Sequence, residues 1–150
     1  MTNSAKTAIA LAAVFSFISI SFAFADPLHI KLKNARFRAG PGTSYKVLWE
    51  APMFTPLEYL AKYKDWYAVR DREGDVAWVS QQAIGQGEAA IVINKKANIR
   101  KGPGTRHQMV FTVDEGYLFK VIEKKGNWYK VKDVEGDEGW VLNKLIWVSR

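Results

Sequence analysis

The residues that could do chemistry are few. The chain has two histidines, His29 and His107. A general acid or base wants such a group beside the proton it moves. These two stand near the starts of two different halves, at positions that do not correspond. The acids Glu73/Asp75 and Glu135/Asp137 each flank a glycine. That pattern reads as a hairpin turn, where acids serve local hydrogen bonds. No His-x-x-x-His spacing, Gly-x-Ser-x-Gly elbow or Gly-x-x-x-x-Gly-Lys-Ser/Thr loop occurs. The Gly-Pro-Gly triplets at 40–42 and 102–104 are too short to cradle a phosphate, and their proline lacks an N–H. There is no cysteine, so disulfides, thiolate metal sites, thiol nucleophiles and an N-terminal lipid-bearing cysteine are excluded. The expectation is no catalytic residue, no metal, no cofactor and no enzymatic activity.

Binding chemistry is better represented. In Trp128 to Lys132 strand parity puts Trp128 on one face with Lys130 and Lys132, and Tyr129 with Val131 on the other. Lysines mark the wet face, so Trp128 should be at least partly exposed. The same reasoning sets Trp66 beside Arg70. An aromatic ring on a wet face can stack on a sugar or an extended peptide. The alternative is that each Trp covers the open end of a small barrel. Trp78 and Trp140 are each followed by a valine on the opposite face, and structure is their expected role. Arg38 and Arg100 precede the Gly-Pro-Gly turns, and each guanidinium should bind loop carbonyls rather than a ligand carboxylate. Tyr45 and His107, three residues past Gly42 and Gly104, are candidate groove walls. The candidate ligand-binding residues are therefore Tyr45, Trp66, His107, Trp128 and Lys130.

What positions these residues is a repeat. Arg38-Ala39-Gly40-Pro41-Gly42-Thr43 recurs as Arg100-Lys101-Gly102-Pro103-Gly104-Thr105, an offset of 100 − 38 = 62 residues. The offset carries Trp66-Tyr67 onto Trp128-Tyr129, Asp71 onto Asp133 and Trp78-Val79 onto Trp140-Val141 without a gap. One folding unit of about 60 residues, small for an independent domain, is used twice. Six Trp, six Tyr and eight Phe supply the area such small cores need.

Residues 1–25 read as a secretory signal peptide: Lys6, an apolar run, then Ala23-Phe24-Ala25 before Asp26-Pro27. Residues 26–84 form the first unit, 85–90 a small polar linker and 91–150 the second. Leu28 to Lys33 alternates as a half-buried strand, with Leu28, Ile30 and Leu32 inward and His29 outward. The prolines between Glu50 and Pro56 make a poor central strand. Gln81 to Ile84 reads as a short helical turn. Five or six short strands per unit, spaced by turns, imply an all-β chain of two small antiparallel barrels. The net charge is +7, or +6 without the leader, which contains Lys6 and no acid. Acids are interspersed, as in a mildly basic soluble surface. No basic run resembles a nucleic-acid motif.

These residues resemble the bacterial SH3 domain. Ala97-Asn98-Ile99-Arg100-Lys101-Gly102-Pro103-Gly104-Thr105 is similar to its opening, Asn127-Trp128-Tyr129-Lys130-Val131 to its Gly-Trp-x-Lys-Val strand, and Glu138-Gly139-Trp140-Val141 to its Gly-Trp-Val strand. The resemblance covers 34–84 and 96–146. The first unit departs from it: Arg36 stands where the second keeps Asn98, Ala77 where it keeps Gly139, and Phe54 where it keeps Gly116. The loop at Phe54 should be stiffer and more apolar, and the two units should not be interchangeable in binding. The resemblance implies SH3-like barrels and a binding role, often beside cell-wall hydrolases. The resulting expectation is an exported, periplasmic or extracellular, non-enzymatic module that binds peptidoglycan or extended peptides through an aromatic groove on each barrel. The alternative is an interaction or scaffold subunit of an envelope complex. Neither reading involves nucleic acid or a membrane span after leader cleavage.

Overall fold

Short alternating segments broken by Gly, Pro and Asp can form strands and little else. The structure, a computed structural model, describes residues 26–149. The expected leader, 1–25, lies outside the described residues. The first unit contains β1 (Leu28–Ile30), β2 (Asn34–Arg38), β3 (Val47–Pro52), β4 (Pro56–Tyr63), β5 (Trp66–Arg70), β6 (Val76–Ser80) and β7 (Ile84–Gln86). The second contains β8 (Ala89–Val92), β9 (Lys96–Arg100), β10 (Met109–Asp114), β11 (Leu118–Lys125), β12 (Trp128–Lys132), β13 (Glu138–Leu142) and β14 (Ile146–Val148). Each strand repeats its counterpart at the same offset of 62, except that β8 starts one residue early. There are thus seven strands per unit, where five or six were expected. The stretch 85–90 holds the end of β7 and the start of β8, with Gly87 and Glu88 between them. Among the described residues no helix is long and apolar enough to cross a membrane.

Each unit is one antiparallel sheet of SH3-like fold, ordered β3-β2-β6-β5-β4-β1-β7 in the first and β10-β9-β13-β12-β11-β8-β14 in the second. β3 runs on through Pro52, further than its prolines suggested. It ends the sheet order, and an edge strand tolerates a residue that cannot donate to a neighbour. After β6 a single 3₁₀ turn, Gln81–Ala83, is capped by the Ser80 hydroxyl, which accepts the Gln82 N–H.

The cores follow strand parity. Phe37, Leu57, Val69 and Val79 are buried in the first unit, with Trp49 stacked on Phe37 at 5.2 Å. Ile99, Phe119, Val131 and Val141 fill the second. Burying each such side chain contributes about 1.5–3 kcal/mol, which must hold cysteine-free units together. Val79 and Val141 are inward, so Trp78 and Trp140 face out. At the loop where Phe54 replaces Gly116 the backbone is the same: φ is 66° at Phe54 and 86° at Gly116. Both N–H groups donate to the preceding unit strand, Phe54 to the Ile30 carbonyl and Gly116 to that of Val92. Left-handed backbone is costly for Phe. Its ring lies edge-on to His29, 6.0 Å away, where a glycine would leave a gap.

β1 corrects the expected alternation. It lies between β4 and β7, and both its faces are covered. His29 is buried at 3% exposure, while Leu32, past the strand end, is 44% exposed. The His29 Nδ1–H donates to the Gly87 carbonyl at 2.9 Å. Burial lowers its pKa, with Lys120 acting in the same sense and the Gly87 bond opposing. A depressed histidine pKa means that the unfolded chain binds the extra proton more readily. Stability is then complete above the unfolded pKa, about 6.5, and is lost as pH falls below it. Urea unfolding of the first unit should show lower stability at pH 5 than at pH 7.5, and His29→Gln should flatten that dependence.

Candidate functional site

The turn that opens each unit is held from inside. The Arg38 guanidinium Nη1 donates to the carbonyls of Thr43 at 2.9 Å and Tyr45 at 2.8 Å. Arg100 Nη1 does the same to His107 at 3.0 Å. The turn carbonyls, otherwise short of partners, are satisfied by a planar multi-donor group. Tyr45 and His107 fold back over the same turn. A methyl group on Gly40 would collide with the Tyr45 ring, and one on Gly102 would stand 2.6 Å from His107 Nδ1. These two rings are therefore lids on a glycine loop. Tyr45 remains 48% exposed, so its outer side is open to a ligand.

A face runs from this turn across three strands. Arg38 on β2 is paired with Trp78 on β6, Trp78 with Ala68 on β5, and Trp66 with Ser80. Cross-strand partners share a face. Trp66, Trp78 and Arg38 therefore lie together on the outer side, opposite Ala77 and Val79 in the core. The second unit repeats the arrangement: Arg100 pairs with Trp140, Trp140 with Lys130, and Trp128 with Leu142. All four tryptophans are half-buried. Sequence reasoning found Trp66 and Trp128 on this face but assigned Trp78 and Trp140 to structure. Parity carried across the β5–β6 hairpin places Trp78 on this face, because once Arg70 pairs with Val76, Ala68 must pair with Trp78.

In the first unit the face borders a groove of about 510 Å³, lined among others by Asn34, Arg36, Arg38, Thr43, Glu50 and Trp66. Tyr45 is not one of its lining residues, though its carbonyl is held by Arg38, which is. The groove rim is charged: Arg36 Nε meets Glu50 Oε1 at 3.1 Å, and Asn34 Nδ2 donates to Glu50 Oε2 at 2.6 Å. At the same positions of the second unit the Thr112 hydroxyl donates to Asn98 Oδ1 at 3.1 Å, a neutral pair. Lys130 is engaged: its Nζ donates to Glu138 Oε2 at 3.0 Å, while Lys132 stands 3.7 Å from the other oxygen. The hydrogen bond from Lys130 holds the Glu138 carboxyl below its ordinary range.

Asp133 and Tyr117 are structural. Asp133 is buried, its Oδ1 accepting the N–H groups of Glu135 and Asp137 and its Oδ2 accepting the Tyr117 hydroxyl at 3.0 Å. Burial first, and then Asp133, push the Tyr117 phenol up to about 12. A phenol so held donates a hydrogen bond and does not ionise near neutrality.

Comparison with known proteins adds the following. Residues 33–85 match one family model described as bacterial SH3 domain, and 94–147 match a second of the same description. The chain is 24% identical over 120 residues to "Putative N-acetylmuramoyl-L-alanine amidase YrvJ" of Bacillus subtilis, covering 73% of this chain and 23% of that protein. It is 36% identical over 52 residues to "Probable cell wall amidase LytH" of Staphylococcus epidermidis, covering 34% of this chain and 18% of that protein. The chain thus spans about a fifth of the length of these relatives. Among solved structures it is similar to an NlpC/P60 family protein from Bacillus cereus, with a TM-score of 0.40 and 13% identity, over 83% of this chain and 56% of that one. A structure of NlpC1 from Trichomonas vaginalis matches with a TM-score of 0.38 and 12% identity, over 91% of this chain and 50% of that one. The expectation of a chain without enzymatic activity is overturned by the curated relatives, whose names are those of cell-wall amidases. Residue motifs could not reveal that link, because the matched segments are the β units themselves.

Proposed function

Since the chain belongs to the bacterial SH3 domain family, we propose that it works at the cell wall, in the service of wall amide hydrolysis, by holding wall polymer on the outer Trp–Arg face of each unit. The observation that carries this reading is the recurrence of Trp66, Trp78 and Arg38 as Trp128, Trp140 and Arg100 on one face in both units. The ligand class is peptidoglycan or an extended peptide: indole faces stack on sugar rings or peptide planes, and the arginine-pinned turn fixes one end of the face. The place of action is the cell envelope, outside the cytoplasm. The relatives named as cell-wall amidases support the wall as the setting.

Two faces on one chain raise apparent affinity if a polymer engages both. The expected result is that the protein sediments with purified cell wall. Trp128→Ala should weaken this, and Trp66→Ala with Trp128→Ala should weaken it about 100-fold, because the avidity of two faces is lost with their anchors. Protein that stays in the supernatant at low and moderate salt would sink the reading. Assay of wall fragments for peptide freed with a new amino terminus by amide hydrolysis, run in parallel, measures hydrolysis by this chain directly.

A second reading has its own observation. β3 and β10 end their sheets, and they expose Leu48 at 45% and Val110 at 48%, again 62 residues apart. An edge strand with exposed apolar side chains can add a strand from a protein partner. A pull-down from envelope extract that captures one specific protein, with no wall sedimentation, would favour this interaction role.

A further inference from the structure

The second unit carries a hollow of about 510 Å³ away from the Trp–Arg face, bordered by Glu88, Lys124, Tyr129, Asn143 and Trp147. The repeat supplies an internal control for it. Lys124 stands over the Tyr129 ring at 5.3 Å, as Lys62 stands over Tyr67 at 5.2 Å, so this pair belongs to the fold. Glu88 corresponds to Asp26 and Asn143 to Gln81, an acid for an acid and an amide for an amide. Trp147 corresponds to Gly85. In the first unit Gly85 pairs with His29, whose ring leaves no room for a side chain there. In the second unit Trp147 pairs with Ile91. The fold is therefore built once with no side chain at this position and once with the largest one. The hollow at the first-unit position, beside Asp26 and Tyr67, is about 170 Å³.

We infer that this hollow is a second ligand site, and that its ligand is a neutral sugar ring of a polysaccharide. The Trp147 indole is half-buried and offers a flat apolar plate to the C–H face of a pyranose. Around it stand an acceptor, the Glu88 carboxylate, a donor, the Lys124 ammonium, and a group that does both, the Asn143 amide. Sugar hydroxyls donate and accept, and so match this mixture. A strongly charged ligand would meet one like charge wherever it sat, from Glu88 if anionic or from Lys124 if cationic. The Trp–Arg faces play no part in this site, so it stands or falls apart from the reading above.

The test is a titration of the full chain with a soluble β-1,4-linked N-acetylglucosamine tetramer, following assigned tryptophan indole N–H resonances. The Trp147 resonance should move with saturation in the millimolar range. Trp147→Gly, which installs the residue the first unit uses, should weaken binding about tenfold. Trp147→Phe keeps a smaller plate and should fall between the two. A shift confined to Trp66, Trp78, Trp128 or Trp140 would overturn the inference, as would saturation unchanged in Trp147→Gly or no shift at all. If Trp147→Gly fails to fold, the wild-type resonance still decides. Failure of wall sedimentation with a Trp147 shift intact would remove the wall-holding role of the outer faces and leave this site standing.

Discussion

Asp133→Ala should unfold the second unit at a temperature at least about 10 °C below wild type, a loss of about 3 kcal/mol. The carboxylate is buried and accepts three hydrogen bonds: from the Glu135 and Asp137 N–H groups that shape the β12–β13 turn, and from the Tyr117 hydroxyl. Hydrogen bonds to a charged acceptor contribute about 1.5–3 kcal/mol each, though less than their sum when they share one group. Truncation strands the phenol and two turn N–H groups at once. The first unit is the comparison. Asp71 accepts one such bond, from the Asp75 N–H at 2.8 Å, and the position of Tyr117 is held there by Thr55. Asp71→Ala should therefore cost less than half as much. Thermal unfolding followed by circular dichroism, with near-ultraviolet signals separating the units, measures both. Equal effects would mean that the turn alone, and not the Tyr117 bond, sets the cost.

Tyr117 gives the same cluster a pH signature. Its folded pKa of about 12 lies above the unfolded value, so the fold favours the neutral phenol. The associated stability is complete below about pH 10 and is lost as pH rises through about 12. In Tyr117→Phe that alkaline loss should be smaller. The order of causes, burial ahead of Asp133, predicts that Asp133→Asn reduces the slope without abolishing it.

How far the chain could be read without coordinates depended on the distance over which each feature is decided. Strand identity is local, and alternation with Gly-Pro-Gly and Glu-Gly-Asp turns placed most strands. The arginine-held turn was legible for a similar reason: the donor lies five to seven residues from its carbonyls. The burial of His29 was not, because its covering groups, Phe54, Gly85 and Gly87, come from far along the chain. Lys130 shows the intermediate case. Its parity with Trp128 could be read, but its engagement depends on Glu138, which the hairpin brings across the strand pair. Which way Trp78 and Trp140 face could not be read, because a Trp–Val step fixes only that the two residues oppose each other. Hairpin register decides which of them is inside.

The difference between Ala77 and Gly139 supplies the other large effect. Gly139 is buried, and a Cβ there would collide with the Ile99 γ2 methyl and stand 3.0 Å from the Arg100 carbonyl oxygen. Neither neighbour can yield cheaply. Ile99 is fully buried in the core, and the Arg100 backbone belongs to β9 beside the pinned turn. Gly139→Ala should thus cost about 1–3 kcal/mol through overpacking. The first unit carries Ala77 at this position, and the residue corresponding to Ile99 there is Phe37, buried in the same core, whose Cβ bears no second branch. The cost should then reside in one methyl group. Ile99→Leu removes that branch, and should itself cost less than about 1.5 kcal/mol. In the Gly139→Ala background it should restore at least half of the lost stability, the coupling expected of neighbours in direct contact. The consequence reaches the outer face as well, since β9 carries Arg100 opposite Trp140. If β9 is pushed outward, wall sedimentation by Gly139→Ala should weaken even below its melting temperature, and Ile99→Leu should recover it. Stability restored without recovery of sedimentation would separate the core from the Trp–Arg face. No stability loss in Gly139→Ala would show that β9 shifts freely and that the glycine is not required by close packing.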